Sequence, residues 1–319
     1  MATSTATVNE TATQSRPVKR QRIPERVVLY AFLVPALAYV GVLFAYPLVK
    51  GVMISLQNLD FAALVSGHAQ FVGAANYRSM LAQSTTMQSI FNTAVFTVGS
   101  IVFQFVIGFG MALYFNHRFP GNSFLRQLIL IPWVMPLVAV GTVFQLVFAT
   151  SNGLANEILH GLGLIHSPIG WLSNGTLAVL VIVVTNIWAG VPFNALLLYS
   201  GLQDVPKDVI EAASVDGANA WRRLTRIIVP SMRPVILIVL MLGVVYTVKA
   251  FDLVIVLTDG GPANESQLLS SWAYTQAFTN FQFGDGMAIS NILLAFCLVV
   301  GVIYLWISRK DNTVTGGGR

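Results

Sequence analysis

Residues 177–202 read LAVLVIVVTNIWAGVPFNALLLYSGL, a stretch with no Asp, Glu, Lys or Arg. A helix needs roughly 20 mostly apolar residues to cross the hydrocarbon core of a bilayer. This run is long enough, and five more resemble it: Val27–Val49, Ile90–Phe115, Leu125–Phe148, Val235–Leu257 and Met287–Ser308. Barrel strands are excluded, because they run about 10 residues with alternating polarity. The composition agrees. Hydrophobic residues make up 55% of the 319-residue chain and charged residues 10%, against about 25% charged in a soluble domain. Mean hydropathy is +0.71. The expected fold is therefore an all-α integral membrane protein of six transmembrane helices. Pro35, Pro47, Pro132, Pro136 and Pro192 fall within these runs. Membrane helices tolerate proline where neighbours re-satisfy the freed backbone groups. Pro132 and Pro136 flank Trp133, which predicts a kink in the third span. Ala36-Leu37-Ala38 has the small-residue pattern of a cleavage site, but the apolar run continues through Phe44, so a retained first span is expected.

The cations give the orientation. Lys and Arg accumulate in cytoplasmic segments. Arg16, Lys19, Arg20, Arg22 and Arg26 precede the first span; Arg118 and Arg126 follow the second. Lys207, Arg222, Arg223, Arg226 and Arg233 lie between the fourth and fifth, and Arg309, Lys310 and Arg319 follow the sixth. That is 15 of 18 on one side. Only Arg78 lies in an opposite loop, with Lys50 at a span boundary and Lys249 inside a span. Both termini are thus expected in the cytoplasm. The domain reading follows: a basic tail over 1–26, a six-span domain over 27–308 with a large cytoplasmic loop over 203–230, and a tail over 309–319. The first 15 residues, rich in Ser, Thr and Ala, are expected to be disordered. The outer loops, 56–89, 149–176 and 258–286, carry mainly acidic charge. A pI near 9.5 raises nucleic-acid binding, but cations split over four segments form no continuous patch.

The large loop is more than a connector. It reads QDVPKDVIEAASVDGANAWRRLTRIIVP over Gln203–Pro230. Pro206 suits a first helical position, and Asp208 and Glu211 then sit near a positive helix end. Gly217 suits a left-handed C-terminal cap, and Asn219 can cap a second helix. Trp221, Leu224 and Ile228 fall on one face of that helix, and the edge formed by Trp221 and Leu224 is expected to anchor it in its own subunit. An amphipathic surface helix would account for this much.

The order of residues says more. Glu211-Ala212-Ala213, three residues, Gly217, nine residues, Ile227, one residue and Val229-Pro230 resembles the EAA motif of binding-protein-dependent ABC importer permeases. Asp204-Val205-Pro206, Asp216-Gly217-Ala218, the Leu257-Thr258-Asp259-Gly260-Gly261-Pro262 element and Phe71-Val72-Gly73 with Asn76-Tyr77 are similar to the sugar-permease branch, its MalF-like half in particular. The resemblance implies a type I ABC importer transmembrane domain. It also implies partners: a second, MalG-like permease subunit, an ATPase homodimer that carries ATP and Mg, and an extracytoplasmic solute-binding protein, all at the inner membrane. Glu211, Ala212, Ala213, Asp216, Gly217, Ile227 and Pro230 would form the ATPase-coupling loop. Small residues there allow close backbone approach, and Glu211 offers a charge-assisted bond to a partner.

Charged residues inside a span mark pathways by default. Lys249 and Asp252, three apart in the expected fifth span, share a helix face and can pair, so either a structural ion pair or a solute path fits. Tyr246 and Thr247 precede them. In the fourth span Asn186, Trp188, Phe193 and Asn194 surround Gly190 and Pro192. Aromatic faces with amide and hydroxyl groups suit polyhydroxylated solutes, while helix packing alone would also use such residues. The resemblance places solute contacts at Ala189, Gly190, Phe193, Thr247 and Ala250. The expected cargo is a carbohydrate, polyol or glycerol-phosphate-like solute.

No phosphate-binding G-x-x-x-x-G-K-[ST] loop occurs, so any ATP chemistry belongs to a partner. His68, His117, His160 and His166 fall in expected loops without ligand spacing, so neither a metal nor another cofactor is expected on this chain. Cys297 lies in an apolar run and reads as a small apolar residue. A secondary transporter and a membrane-bound scaffold are the competing readings. Neither gives a reason for the Glu211–Pro230 spacing.

Overall fold

The computed structural model describes residues 25–315. The expected tail cations Arg16, Lys19, Arg20, Arg22 and Arg319 lie outside the described residues, as does the stretch expected to be disordered. Two compact units divide after Lys50. The first contains the Glu25–Val40 helix and a π turn, Gly41–Ala45, which runs into the Tyr46–Ser55 helix. The side chains described between Tyr30 and Val49 are almost all exposed. A helix that is apolar all round and exposed on every side suits lipid or a protein neighbour, not water.

The second unit is built on two long helices, Ser84–Phe115 and Gly175–Gln203, packed along much of their length. Phe96 and Ile182 meet there with Leu253, Val254, Leu257 and Leu268 in one buried cluster. Ala112, Leu198, Leu202, Met232 and Val239 form a second cluster toward the 203–230 segment. The Phe283–Thr315 helix packs its first turns on a third, formed by Met80, Leu269, Trp272 and Ile289. A two-residue antiparallel ribbon, Gln57–Asn58 with Gln70–Phe71, is the one sheet among the described residues.

Among the described residues four helices are long and apolar enough to cross a membrane, and six spans result when each of two bent pairs counts as one. The first pair, Asn122–Val134 with Leu137–Val147, bends by 94°. The break falls at Met135 and Pro136, inside the expected proline kink. The second pair, Ala220–Ser231 with Arg233–Val248, bends by 72° at Met232.

Four spans differ from expectation, and the first runs on to Ser55, past Val49. The second and sixth spans are longer: Ser84–Phe115 begins six residues before Ile90, and Phe283–Thr315 passes Ser308. Hydropathy registers solvent, whereas backbone hydrogen bonding continues through polar residues. The expected fifth span, Val235–Leu257, is not one helix. It ends at Val248 and restarts at Asp252. No proline or glycine forces this break; burial of Ala250, Leu253 and Val254 in the first cluster sets the path instead. His160 lies on a short helix, Leu154–Gly161, and not in a loop.

The opposite end from the 203–230 segment is tied by amides. Asn76 Nδ2 donates to the Ser55 and Gln57 carbonyls, both at 2.9 Å, and Tyr77 Oη pairs with Ser55 Oγ at 2.7 Å. Those bonds explain an Asn-Tyr pair after a glycine turn. Asp259 inside the Leu257–Pro262 element, and Ala263 and Asn264 just after it, take positive φ. Asn92 Nδ2 holds this turn to the Ser84–Phe115 helix through the Glu265 carbonyl at 2.7 Å and the Gln267 carbonyl at 3.0 Å.

Candidate functional site

The break after Val248 opens a cavity of about 470 Å³. Its walls come from the middle of Gly175–Gln203, the end of Arg233–Val248, the Met135 break and Gln104. Ala189, Gly190, Phe193, Asn194, Tyr246, Thr247, Lys249, Ala250 and Asp252, the nine residues expected along a solute path, all line it. Asn186, Trp133 and Gln104 line it too.

One wall is aromatic. Trp133 stacks on Phe193 with ring centroids 5.5 Å apart, and Phe193 meets Tyr246 edge-on at 6.0 Å. The other wall carries amides. Gln104 Nε2 donates to the Asn186 carbonyl at 2.8 Å, and its Oε1 accepts from Asn194 Nδ2 at 3.4 Å. Asn194 Nδ2 also donates to the Gly190 carbonyl at 3.0 Å. A Cβ on Gly190 would run into the Gln104 amide, so glycine is what lets the two helices close here. Asn186 is 7% exposed, and its Nδ2 has no partner among the described residues. A buried amide donor left open costs about 1–3 kcal/mol, which a ligand acceptor would recover.

Lys249 and Asp252 do not share a helix face, and no ion pair joins them among the described residues. That corrects the expected pair. Lys249 follows the end of one helix, and its Nζ lies 4.6 Å from the Tyr246 ring centre. Asp252 opens the next helix, where the dipole favours a carboxylate. Trp188 does not line the cavity; it packs against Phe144, centroids 5.4 Å apart. Gln104 was missed by sequence reasoning, although an amide inside the apolar run Ile90–Phe115 was the available signal.

The 203–230 segment folds as two short helices and a π turn. Lys207–Val215 starts after Pro206, one position later than expected. Gly217 ends that helix at φ 78, a left-handed value that costs other residues about 1–2 kcal/mol. Ala218 N donates back to the Ala213 carbonyl at 2.9 Å, and Asn219 Oδ1 caps Ala220–Arg223 through Arg222 N at 2.9 Å. The π turn, Leu224–Ile228, widens the helix just ahead of Pro230, which lacks a donor. Glu211, Ala212, Asp216 and Gly217 are exposed; Ala213 and Ile227 are half-buried. Ile228 packs on the second cluster. Trp221 is 70% exposed, so it does not anchor the segment in its own subunit as expected. Ile228 and Met232 do that, because the π turn rotates the face that follows it. Val215, 87% exposed, stands at the tip beside Asp216. The segment is therefore a braced projection with an unpartnered apolar and acidic end.

Comparisons with known proteins bear on both features. A family model described as binding-protein-dependent transport system inner membrane component matches residues 104–310. The trehalose/maltose transport system permease protein MalF of Thermococcus litoralis is 33% identical over 281 residues, covering 88% of this chain and 93% of that protein. The diacetylchitobiose uptake system permease protein DasB of Streptomyces coelicolor is 31% identical over 286 residues, covering 89% and 87%. Among solved structures, one chain of a bacterial alginate ABC transporter, in complex with an alginate pentasaccharide-bound periplasmic protein, superposes with a TM-score of 0.75. It has 19% identity and covers 90% of this chain and 96% of that one.

Proposed function

This chain belongs to the family of binding-protein-dependent transport system inner membrane components, and from that premise we infer that it is the permease subunit of an ABC importer for a saccharide or related polyol. The cavity carries this reading. Polyhydroxylated solutes need apolar ring faces and dense hydrogen bonding together. The Trp133–Phe193–Tyr246 wall supplies the first, and the Gln104, Asn186 and Asn194 amides supply the second. The relatives' own cargoes, trehalose/maltose and diacetylchitobiose, support the class.

The Glu211–Pro230 projection would be the coupling element. It would sit in a groove on a separate ATPase, which holds ATP and Mg as a homodimer. Closure of the ATPases would move Glu211, Ala212, Ala213, Asp216 and Gly217 as a rigid body, and Ile227 and Pro230 would pass the motion into Arg233–Val248. That helix ends at the cavity wall, so the push reaches Tyr246, Thr247 and Lys249 directly. A MalG-like permease would complete the pathway, and a solute-binding protein would deliver the cargo on the outer side. The chain would cross the inner membrane six times with both termini cytoplasmic. It does no covalent chemistry; its work is alternating access by population shift.

The test is uptake by the complete importer in proteoliposomes, with panels of di- and trisaccharides, polyols and amino acids. Uptake of a saccharide or polyol, lost in Phe193→Ala and Asn186→Ala, is expected. Uptake of amino acids alone would overturn the reading.

A further inference from the structure

A second crevice, of about 660 Å³, opens at the end of the molecule that carries the 203–230 segment. It lies where the Ser84–Phe115 helix turns through residues 116–121 into Asn122–Ile129, against the end of Gly175–Gln203. Arg118, Arg126 and Lys207 line it, and no acidic residue does. None of these three cations is ion-paired with a carboxylate among the described residues. Cations are common at this end of a membrane protein, but they are ordinarily dispersed. Here three converge on one concave surface.

The walls are braced in advance. Asn122 Nδ2 donates to the Phe115 carbonyl at 2.9 Å and to the His117 carbonyl at 2.5 Å, which fixes the turn. Gln203 Nε2 donates to Asn116 Oδ1 at 2.8 Å, which ties that turn to the neighbouring helix. Arg126 lies over the Tyr199 ring, its guanidinium carbon 4.6 Å from the ring centre. Stacking orients the fork without using its donors. Beside the cations the crevice carries the polar Asn116, Asn122, Ser123 and Gln203, with apolar groups at Phe115, Phe119 and Phe124. Phe124 lines it and is 63% exposed, and Leu125 and Leu128 on the same short helix are exposed as well.

We propose that this crevice binds a phosphate ester, and that its source is the headgroup of an anionic phospholipid. Guanidinium donors match phosphate oxygens. The exposed Phe124, Leu125 and Leu128 give acyl chains a surface that a soluble phosphate would not use. A lipid bound there would touch both the 116–121 turn and Lys207, the first residue of the proposed coupling helix.

The experiment uses the complete importer in nanodiscs of phosphatidylcholine, with and without phosphatidylglycerol, and counts retained lipid by native mass spectrometry. Arg118→Gln with Arg126→Gln should lower phosphatidylglycerol retention about tenfold or more, since each cation near an anionic headgroup carries roughly a fivefold effect. Arg118→Lys with Arg126→Lys, which keeps the charge, should retain most of it. Unchanged retention in the glutamine variant overturns the proposal. Should that variant fail to assemble, the wild type decides: equal retention of phosphatidylglycerol and phosphatidylcholine overturns it. In a parallel arm, inorganic phosphate and glycerol phosphate are titrated in phosphatidylcholine alone. Binding of these without lipid retention overturns the lipid source and assigns the site to a soluble phosphate; absence of both lipid retention and phosphate binding overturns the site altogether.

Discussion

Gly190 sits so close to the Gln104 amide that any side chain there must displace it. Gln104 is a flexible residue, so Gly190→Ala should fold, but the 2.8 Å bond to the Asn186 carbonyl would be lost. The buried Gln104 amide left without its acceptor costs about 1–3 kcal/mol. Initial uptake rates should fall about tenfold, with assembled importer, measured by co-purification, unchanged. Gln104→Ala removes the same bond from the other side. The double variant should then cost clearly less than the sum of the singles, because both act through one contact. Strict additivity would show that the amide network does not shape the cavity. Lys249 and Asp252 give a second prediction at this scale. They lie on separate helices and form no ion pair with each other, so each should act alone. Lys249→Gln and Asp252→Asn should each lower uptake, and the charge-swapped pair should not restore it. Rescue by the swap, read in the same uptake assay, would mean that they do pair during the cycle.

The 203–230 segment can be separated into what folds it and what it presents. Gly217 folds it: at φ 78 a β-branched residue is strained. Gly217→Val should disrupt the C-terminal turn of Lys207–Val215 and reduce ATPase co-purification. Glu211 is exposed and holds nothing in place, so Glu211→Ala should leave the thermal midpoint unmoved. The proposed coupling predicts that solute-binding-protein-stimulated ATP hydrolysis nevertheless drops by about tenfold, the scale of losing one charge-assisted contact. Normal stimulation in Glu211→Ala would remove that residue from the coupling role. These two elements were legible in sequence because caps are local. A glycine at the end and an asparagine at the start act within four residues of themselves. The break at Lys249–Phe251 was illegible for the opposite reason: no residue there disfavours helix, and packing of Ala250, Leu253 and Val254 against the long helices decides it. Of the nine cavity residues, Ala189, Gly190 and Ala250 rest on the family resemblance alone, whereas Phe193, Asn194, Tyr246, Thr247, Lys249 and Asp252 stand out as polar or aromatic groups inside apolar runs. Gln104 carried the same signal. It escaped because its role comes from a contact with Asn186, 82 residues away in the chain, which a local pattern does not place. Trp221 misled because a helical wheel assumes one helix type, whereas a π turn, Leu224–Ile228, changes the phase of the face after it.

At the scale of the whole chain the open quantity is the number of crossings. Four helices cross by length alone, and the bent pairs Asn122–Val147 and Ala220–Val248 add two more if each traverses the bilayer. Both counts are even, so the termini share a side in either case and cannot discriminate. The internal loops can. With six crossings and a cytoplasmic start, Ser167 and Ser173 lie outside and Ser214 inside. With four, both bent pairs return to the side they left, and all three positions invert. Four crossings would put Lys207, Arg222, Arg223 and Arg226 outside and Glu157 inside, against the distribution of cations that orients membrane proteins. It would also put the Glu211–Pro230 projection on the side without ATP. Cysteine accessibility decides between them. In a Cys297→Ser background, which removes the single native thiol, Ser173→Cys should react with a membrane-impermeant maleimide in intact cells. Ser214→Cys should react only after the membrane is opened. The reversed pattern would leave four crossings, and a protein whose coupling segment could not meet an ATPase.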